Sequence, residues 1–166
     1  MIIINEGDGK GKTTAAIGQA IRAKGQGLKV KIIQFIKNGP SGEFEMLQKL
    51  GIIVEQYGLG FTSSGDKALH KAAAERGLQA ILKTLEDKNF DMIICDEINY
   101  AVSGSLIDEG NVINLIDKAK RQGIHLIMTG RGPTNKMIEA ADIVTNMVKV
   151  KHAFDNGIEA QAGIEF

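Results

Sequence analysis

Three short stretches hold residues whose types and spacing could do chemistry. The first is Gly7-Asp-Gly-Lys-Gly-Lys-Thr-Thr14. Its glycines let successive backbone N–H groups turn toward one point, forming a nest for oxyanions where a helix begins. Lys12 can then reach phosphate oxygens, and the Thr13 hydroxyl can reach Mg²⁺. The strict phosphate-loop pattern asks for glycine at position 6, where this chain has Glu6, so the loop is irregular, with glycines at 7, 9 and 11. The competing reading is a glycine-rich turn that binds nothing; Gly11-Lys12-Thr13 opening a helix straight after an apolar run argues against it. The second stretch is Ile93-Ile-Cys-Asp-Glu97, an apolar run ending in paired acids. Asp96 or Glu97 could hold Mg²⁺ directly or through water; an acidic helix cap is the alternative. The third is Thr129-Gly-Arg-Gly132. Arg131 could meet a phosphate or a substrate carboxylate, or be a surface arginine in a tight turn.

The elements that must position these residues follow from periodicity. Short Ile- and Val-rich runs at residues 1–5, 29–36, 51–55, 91–95, 124–128 and 143–150 read as strands. Helical stretches are predicted over 15–22, 66–87, 111–122 and 136–141. In the second of these, Leu78, Ile81, Leu82 and Leu85 share one side. Strands alternating with helices imply a mostly parallel central sheet of about six strands, helices on both faces, in a P-loop NTPase (RecA-like) α/β fold. In such sheets ligands bind at the carboxyl ends of the strands, where the glycine loop and the paired acids fall. No linker or repeat interrupts the pattern, so residues 1–166 read as a single nucleotide-binding domain.

Composition narrows the function classes. Of 166 residues, 20 are Lys or Arg and 20 are Asp or Glu, so the formal net charge is zero. Nothing drives the chain in bulk toward nucleic acid or an anionic membrane. No apolar run approaches the ~18 residues of a membrane span, and the start lacks the flanks of a signal peptide. The expected location is the cytoplasm. One cysteine, Cys95, excludes an intrachain disulfide and a cysteine-cluster metal site. It reads as a small core residue, the six methionines as gap fillers, and His70 and His125 as surface and strand histidines. The Gln161–Phe166 tail reads as an added edge strand or a dimer contact.

In order along the chain stand Gly7 to Ala15, Gln34-Phe-Ile-Lys37, Gly42-Glu43, Asp96-Glu97, Thr129-Gly-Arg-Gly132, Lys151-His-Ala-Phe-Asp155 with Gly157, and the ending Ala160-Gln-Ala-Gly-Ile-Glu-Phe166. This series resembles the P-loop type of ATP:corrinoid adenosyltransferase over nearly the whole chain. The resemblance implies attack by the Co(I) of a reduced corrinoid on C5′ of ATP, with the whole triphosphate leaving. It also implies ATP lying reversed relative to ordinary P-loop enzymes, Mg²⁺ (or Mn²⁺), a reduced flavodoxin-like flavoprotein as electron donor, and a homodimer.

Carried onto this sequence, the resemblance implies an ATP site of Gly7, Asp8, Gly9, Lys10, Gly11, Lys12, Thr13, Thr14 and Arg131. Thr13 and Glu97 are the implied metal ligands, with Asp96 supporting them. Phe61, in Gly60-Phe-Thr62, matches an aromatic that closes over the corrinoid and helps exclude its lower axial ligand. Lys12 and Phe61 are therefore the implied catalytic pair, and Phe61 acts alone or with Tyr57. His152 takes a structural or nucleotide-side role rather than ligating cobalt. Three features depart from the pattern. Ser63 stands where some members carry tryptophan, and this chain has none. Glu6 would repel triphosphate unless it turns away or meets a lysine. The sequence begins at its first strand, whereas some relatives cover the site with an N-terminal helix, so a more open site is expected. The rival functions are an ATPase or phosphotransferase, which would release ADP, and a non-catalytic ATP-binding module.

Overall fold

The apolar runs assemble side by side as six parallel strands in the order β3-β2-β4-β5-β1-β6. The structure is a computed structural model and describes residues 1–39, 41–60 and 66–165. The strands are β1 (Ile2–Glu6), β2 (Val30–Gln34), β3 (Ile53–Gln56), β4 (Met92–Asp96), β5 (His125–Thr129) and β6 (Ile143–Asn146). The helices are α1 (Lys12–Gly25), α2 (Gly42–Lys49), α3 (Lys67–Asp87), α4 (Ile98–Ser103), α5 (Glu109–Gln122) and α6 (Asn135–Ala140). One 3₁₀ turn follows at Ala153–Asn156.

Alternation along each strand sorts the side chains to two faces. Ile2, Ile4, Ile33, Ile93, Cys95, Leu126 and Met128 pack into one core with α3, α4 and α5. Ile32, Met92, Ile94 and Ile127 pack into the other, against Ala16, Ala20 and Ala23 of α1 and Leu47 of α2. Both faces are covered, so the strands read as unbroken apolar runs. Alanines at i, i+4 and i+7 give α1 a flat face that can approach the sheet closely. A fully buried isoleucine is worth ~1.5–3 kcal/mol relative to leaving it in water, and Ile2, Ile4, Ile33, Ile93 and Ile98 are all at 0% exposure. Side-chain caps mark the helix starts: Asp66 accepts from the Ala68 N–H, and Asp108 from the Gly110 N–H, each at 2.8 Å.

Three expectations change. The strand predicted over 143–150 stops at Asn146, because its neighbour β1 ends there and turns into the glycine loop; Val148 and Val150 are exposed. The described part of the tail forms no edge strand: residues 162–165 form turns. His70, read as a surface histidine, is buried, on the same side of α3 as Ala73, Ala74 and Gly77. Among the described residues no helix is long and apolar enough to cross a membrane.

Candidate nucleotide site

The glycine loop forms where β1 ends and α1 begins, propped by the segment that follows β6. The Gly9 N–H donates to the Met147 carbonyl at 2.6 Å, and the Met147 N–H donates to the Glu6 carbonyl at 2.8 Å. A Cβ on Gly9 would sit 2.6 Å from the Met147 oxygen and 2.8 Å from the Val148 oxygen. Gly9 is thus required by a close backbone approach, and its N–H serves that contact rather than the oxyanion nest. Gly9→Ala is expected to push residues 147–148 off the loop, costing ~1–3 kcal/mol. A melting curve together with an ATP titration checks this; unchanged stability and affinity would contradict it.

Lys12 opens α1 and is 9% exposed. Its Nζ donates to the carbonyls of Gly7 at 2.7 Å and Gly9 at 2.8 Å. Burial holds its pKa below the usual lysine value, against the opposing pull of Glu97. The ammonium has carbonyls for hydrogen-bond partners and, among the described residues, no carboxylate in contact, which suits it to a triphosphate. Asp8 and Arg131 meet at 3.1 Å on the surface, joining two of the expected site residues; an exposed pair of this kind is worth little by itself.

The paired acids do different work. Asp96 is 1% exposed. Its Oδ1 accepts from the hydroxyls of Thr13 and Thr129, each at 2.7 Å, and its Oδ2 accepts from Gln34 Nε2 at 3.0 Å. Glu97 begins α4 with a left-handed backbone, φ 65 and ψ 21, an uncommon conformation for a residue bearing a Cβ. Its N–H donates to Thr129 Oγ1 at 2.9 Å. A Cβ on Gly130 would lie 3.0 Å from Glu97 Oε2 and 2.9 Å from the Tyr100 nitrogen, so the glycine after Thr129 leaves room for this carboxylate. Burial first, then Asp96, pushes the Glu97 pKa up; Lys12 and Arg131 pull it down.

This donor set fits Mg²⁺. Among the described residues no three His, Cys, Asp or Glu side chains gather as a metal cage. Mg²⁺ seldom uses such a cage: it takes one or two carboxylates, waters and substrate phosphates. Thr13 gives its proton to Asp96, leaving its lone pairs for a cation, and Glu97 is a desolvated carboxylate that a cation would relieve.

A cleft of about 480 Å³ lies over these groups, walled by residues 10–14 of the loop, Lys37, Glu43 and Glu97. Gly163, Ile164 and Glu165 of the tail form another side. Lys10 Nζ donates to the Ile164 carbonyl at 2.6 Å and lies 3.6 Å from Glu165 Oε1. Lys10, Gly11, Lys12, Thr13, Thr14 and Glu97 therefore converge as expected. Tyr57 does not join them: its hydroxyl donates to Glu55 at 3.1 Å, in a second groove with Lys31 and Arg76. Phe61 and Ser63 lie outside the described residues. Cys95 is buried with its thiol pKa pushed up by desolvation, leaving no reactive thiolate. His152 starts the 3₁₀ turn, its Nδ1 accepting from the Phe154 N–H at 3.2 Å. Thr129, Gln34 and the tail were not picked out as site residues from the sequence. Thr129 and Gln34 stand in stretches the sequence does single out, but their own signal is a polar side chain at the carboxyl end of a buried strand.

Sheet order, glycine loop and acidic strand end together define a RecA-like P-loop α/β nucleotide-binding protein. Residues 1–166 match the family described as ATP:corrinoid adenosyltransferase BtuR/CobO/CobP. The chain belongs to that family. It is 38% identical over 168 residues to the corrinoid adenosyltransferase of Escherichia coli strain K12, covering 100% of this chain and 85% of that protein. The corrinoid adenosyltransferase CobA of Salmonella typhimurium strain LT2 gives the same identity and coverage. A corrinoid adenosyltransferase of Sinorhizobium sp is 37% identical over 171 residues, covering 100% of this chain and 80% of its own length. Among solved structures, the flagellar accessory protein FlaH of Methanocaldococcus jannaschii has a TM-score of 0.60 at 12% identity. The match spans 87% of this chain and 69% of that one, a likeness of fold alone.

Proposed function

We propose that this chain transfers the 5′-deoxyadenosyl group of ATP to the Co(I) of a reduced corrinoid, in adenosylcobalamin biosynthesis or salvage. The observation that carries the reading is the full-length family match on a chain whose phosphate loop, Lys12 and Glu97 share one cleft. A cobalt electron pair attacks C5′, the C5′–O5′ bond breaks, and its electrons leave on the triphosphate. The nucleophile is a substrate metal, so no side chain need act as a general base. The protein's task is to hold ATP in line and to stabilise charge on the leaving group. Residues 7–14 cradle the triphosphate and Lys12 meets its charge, with Arg131 beside Asp8 at the loop. Thr13 and Glu97 would hold Mg²⁺ (or Mn²⁺), and Asp96 fixes the Thr13 hydroxyl from behind. That ion would supply further positive charge to the leaving triphosphate.

Phe61, with Tyr57 at the start of the same segment, covers the corrinoid and excludes its lower axial ligand. A reduced flavodoxin-like protein delivers the electron. The enzyme works in the cytoplasm as a homodimer; exposed Val148, Val150 and Phe154 offer apolar surface for the second copy. The test is anaerobic: protein, Mg·ATP and chemically reduced cob(I)alamin are mixed and the Co(I) absorbance followed. Light-sensitive adenosylcobalamin with free triphosphate is expected. ADP with an unchanged Co(I) spectrum would assign the site to an ATPase or phosphotransferase instead. ATP binding with neither product, on intermediate corrinoids as well, would leave a binding module.

A further inference from the structure

The Gln34-Phe-Ile-Lys37 and Gly42-Glu43 stretches lie outside both the phosphate loop and the paired acids. Lys37 and Glu43 line the nucleotide cleft, and their side chains meet at 2.5 Å. Lys37 is close enough to Glu97 to act on its charge. It enters from the loop after β2, whereas Lys10 and Lys12 enter from the phosphate loop.

An unbroken line of hydrogen bonds connects that loop to the acid behind Thr13. A carboxylate accepts and never donates, so Asp96 compels Gln34 to present its Nε2. The Gln34 Oε1 is thereby left to accept from Gln56 Nε2, at 2.9 Å. Gln56 then faces Gly39 with both ends of its amide: Nε2 donates to the Gly39 carbonyl and Oε1 accepts from the Gly39 N–H, each at 3.0 Å. Both Nε2 protons of Gln56 are used, and both backbone groups of Gly39 are held as a paired strand would hold them. One acid that accepts at both oxygens fixes the orientation of two amides, and these fix the backbone two residues beyond Lys37. Glu43, from the first turn of α2, holds the ammonium itself.

We propose that Lys37 is a further triphosphate-binding residue of this enzyme and that Gln34 and Gln56 are positioning residues that register its loop to Asp96 and Thr13. Lys37 would give up part of its pairing with Glu43 to take a phosphate oxygen. Because the whole triphosphate is the leaving group, a second cation lining the cleft with Lys12 meets charge that Lys12 alone cannot span. The proposal deepens the adenosyl-transfer reading and rests on it for that last consequence. Its binding part stands or falls on its own.

The probe is therefore inorganic tripolyphosphate with Mg²⁺, measured calorimetrically on the intact chain with no corrinoid present. Lys37→Ala is expected to weaken tripolyphosphate binding about tenfold or more, the usual worth of a charge-assisted contact, and to leave adenosine binding unchanged. Gln56→Leu, at a half-exposed position on an edge strand, is expected to weaken it severalfold in the parent. On the Lys37→Ala background it should add nothing, as for two residues acting through one contact. An affinity within twofold of the parent for Lys37→Ala would overturn the binding role. Full additivity of the two substitutions would overturn the positioning role. Thermal melts of each variant confirm that folded proteins are compared. Loss of tripolyphosphate binding in an enzyme that makes no adenosylcobalamin would uphold Lys37 while sinking the reaction assigned above.

Discussion

Glu97→Gln is expected to give a protein more stable than the parent and without adenosyl transfer. The carboxylate is desolvated beside Asp96, and its pKa is raised. The charged form therefore opposes folding, and the neutral amide removes that opposition. The left-handed backbone remains, so its strain is not relieved. The sign with pH follows. Below the ordinary carboxylate range Glu97 is protonated whether folded or unfolded, and the two proteins should differ little. As pH rises through that range the unfolded chain ionises first, and the cost to the parent grows until the raised folded value is passed. The difference in melting temperature between variant and parent should widen over the same window. Within that window Mg·ATP should favour the charged form of Glu97 and so release protons, detectable as a buffer-dependent binding enthalpy in the parent and absent in the variant. Activity should fall at least ~100-fold, the scale of losing one preorganised electrostatic contact in a reaction site. A variant that is less stable across the whole window, or still active, would refute this account of Glu97.

Lys12→Ala should bring the deepest loss, about 1,000-fold in kcat/KM. The side chain is the buried ammonium at the loop's centre, 2.7 and 2.8 Å from two loop carbonyls. Its removal discards those bonds and also the cost of burying the charge, so stability should change by no more than about 1 kcal/mol. Lys12→Arg keeps the charge but brings a planar fork that the Gly7 and Gly9 carbonyls do not match; it should recover only a small part of the activity. The rate of adenosylcobalamin formation at saturating and limiting ATP separates the two effects. An Ala variant within tenfold of the parent would remove Lys12 from the chemistry.

The strands were legible in the sequence because a parallel sheet covered on both faces needs no polar alternation, and runs such as Met92–Cys95 say so directly. The long helix α3 was legible through its apolar spacing. Helix α2 was not, because it buries only Leu47 and so leaves no stripe to read. Helix α4 is six residues long and follows the paired acids without a break. Val148 and Val150 imitate a strand pattern, but past Met147 the chain has left the edge of β1. At the site, the loop and the acids announced themselves by residue type. The contact of Lys10 with Ile164, 154 positions away, has no local signature. Neither has the amide line from Asp96 to Gly39, which exists only once β2, β3 and β4 are aligned.

The placement of β1 bears on how this protein is made. The first strand in the chain lies between the last two, β5 and β6, and the loop that follows it leans on Met147. On the ribosome, residues 2–14 emerge well before residues 125–147 and must wait for them before either the strand has neighbours or the loop has its prop. At ~5–20 residues per second that delay is on the order of ten seconds. A nascent chain therefore carries a phosphate-loop sequence that cannot yet grip ATP, and nucleotide can stabilise only the finished fold. Ribosome-stalled chains ending before β5 should show no ATP-dependent protection from protease, whereas released chains should.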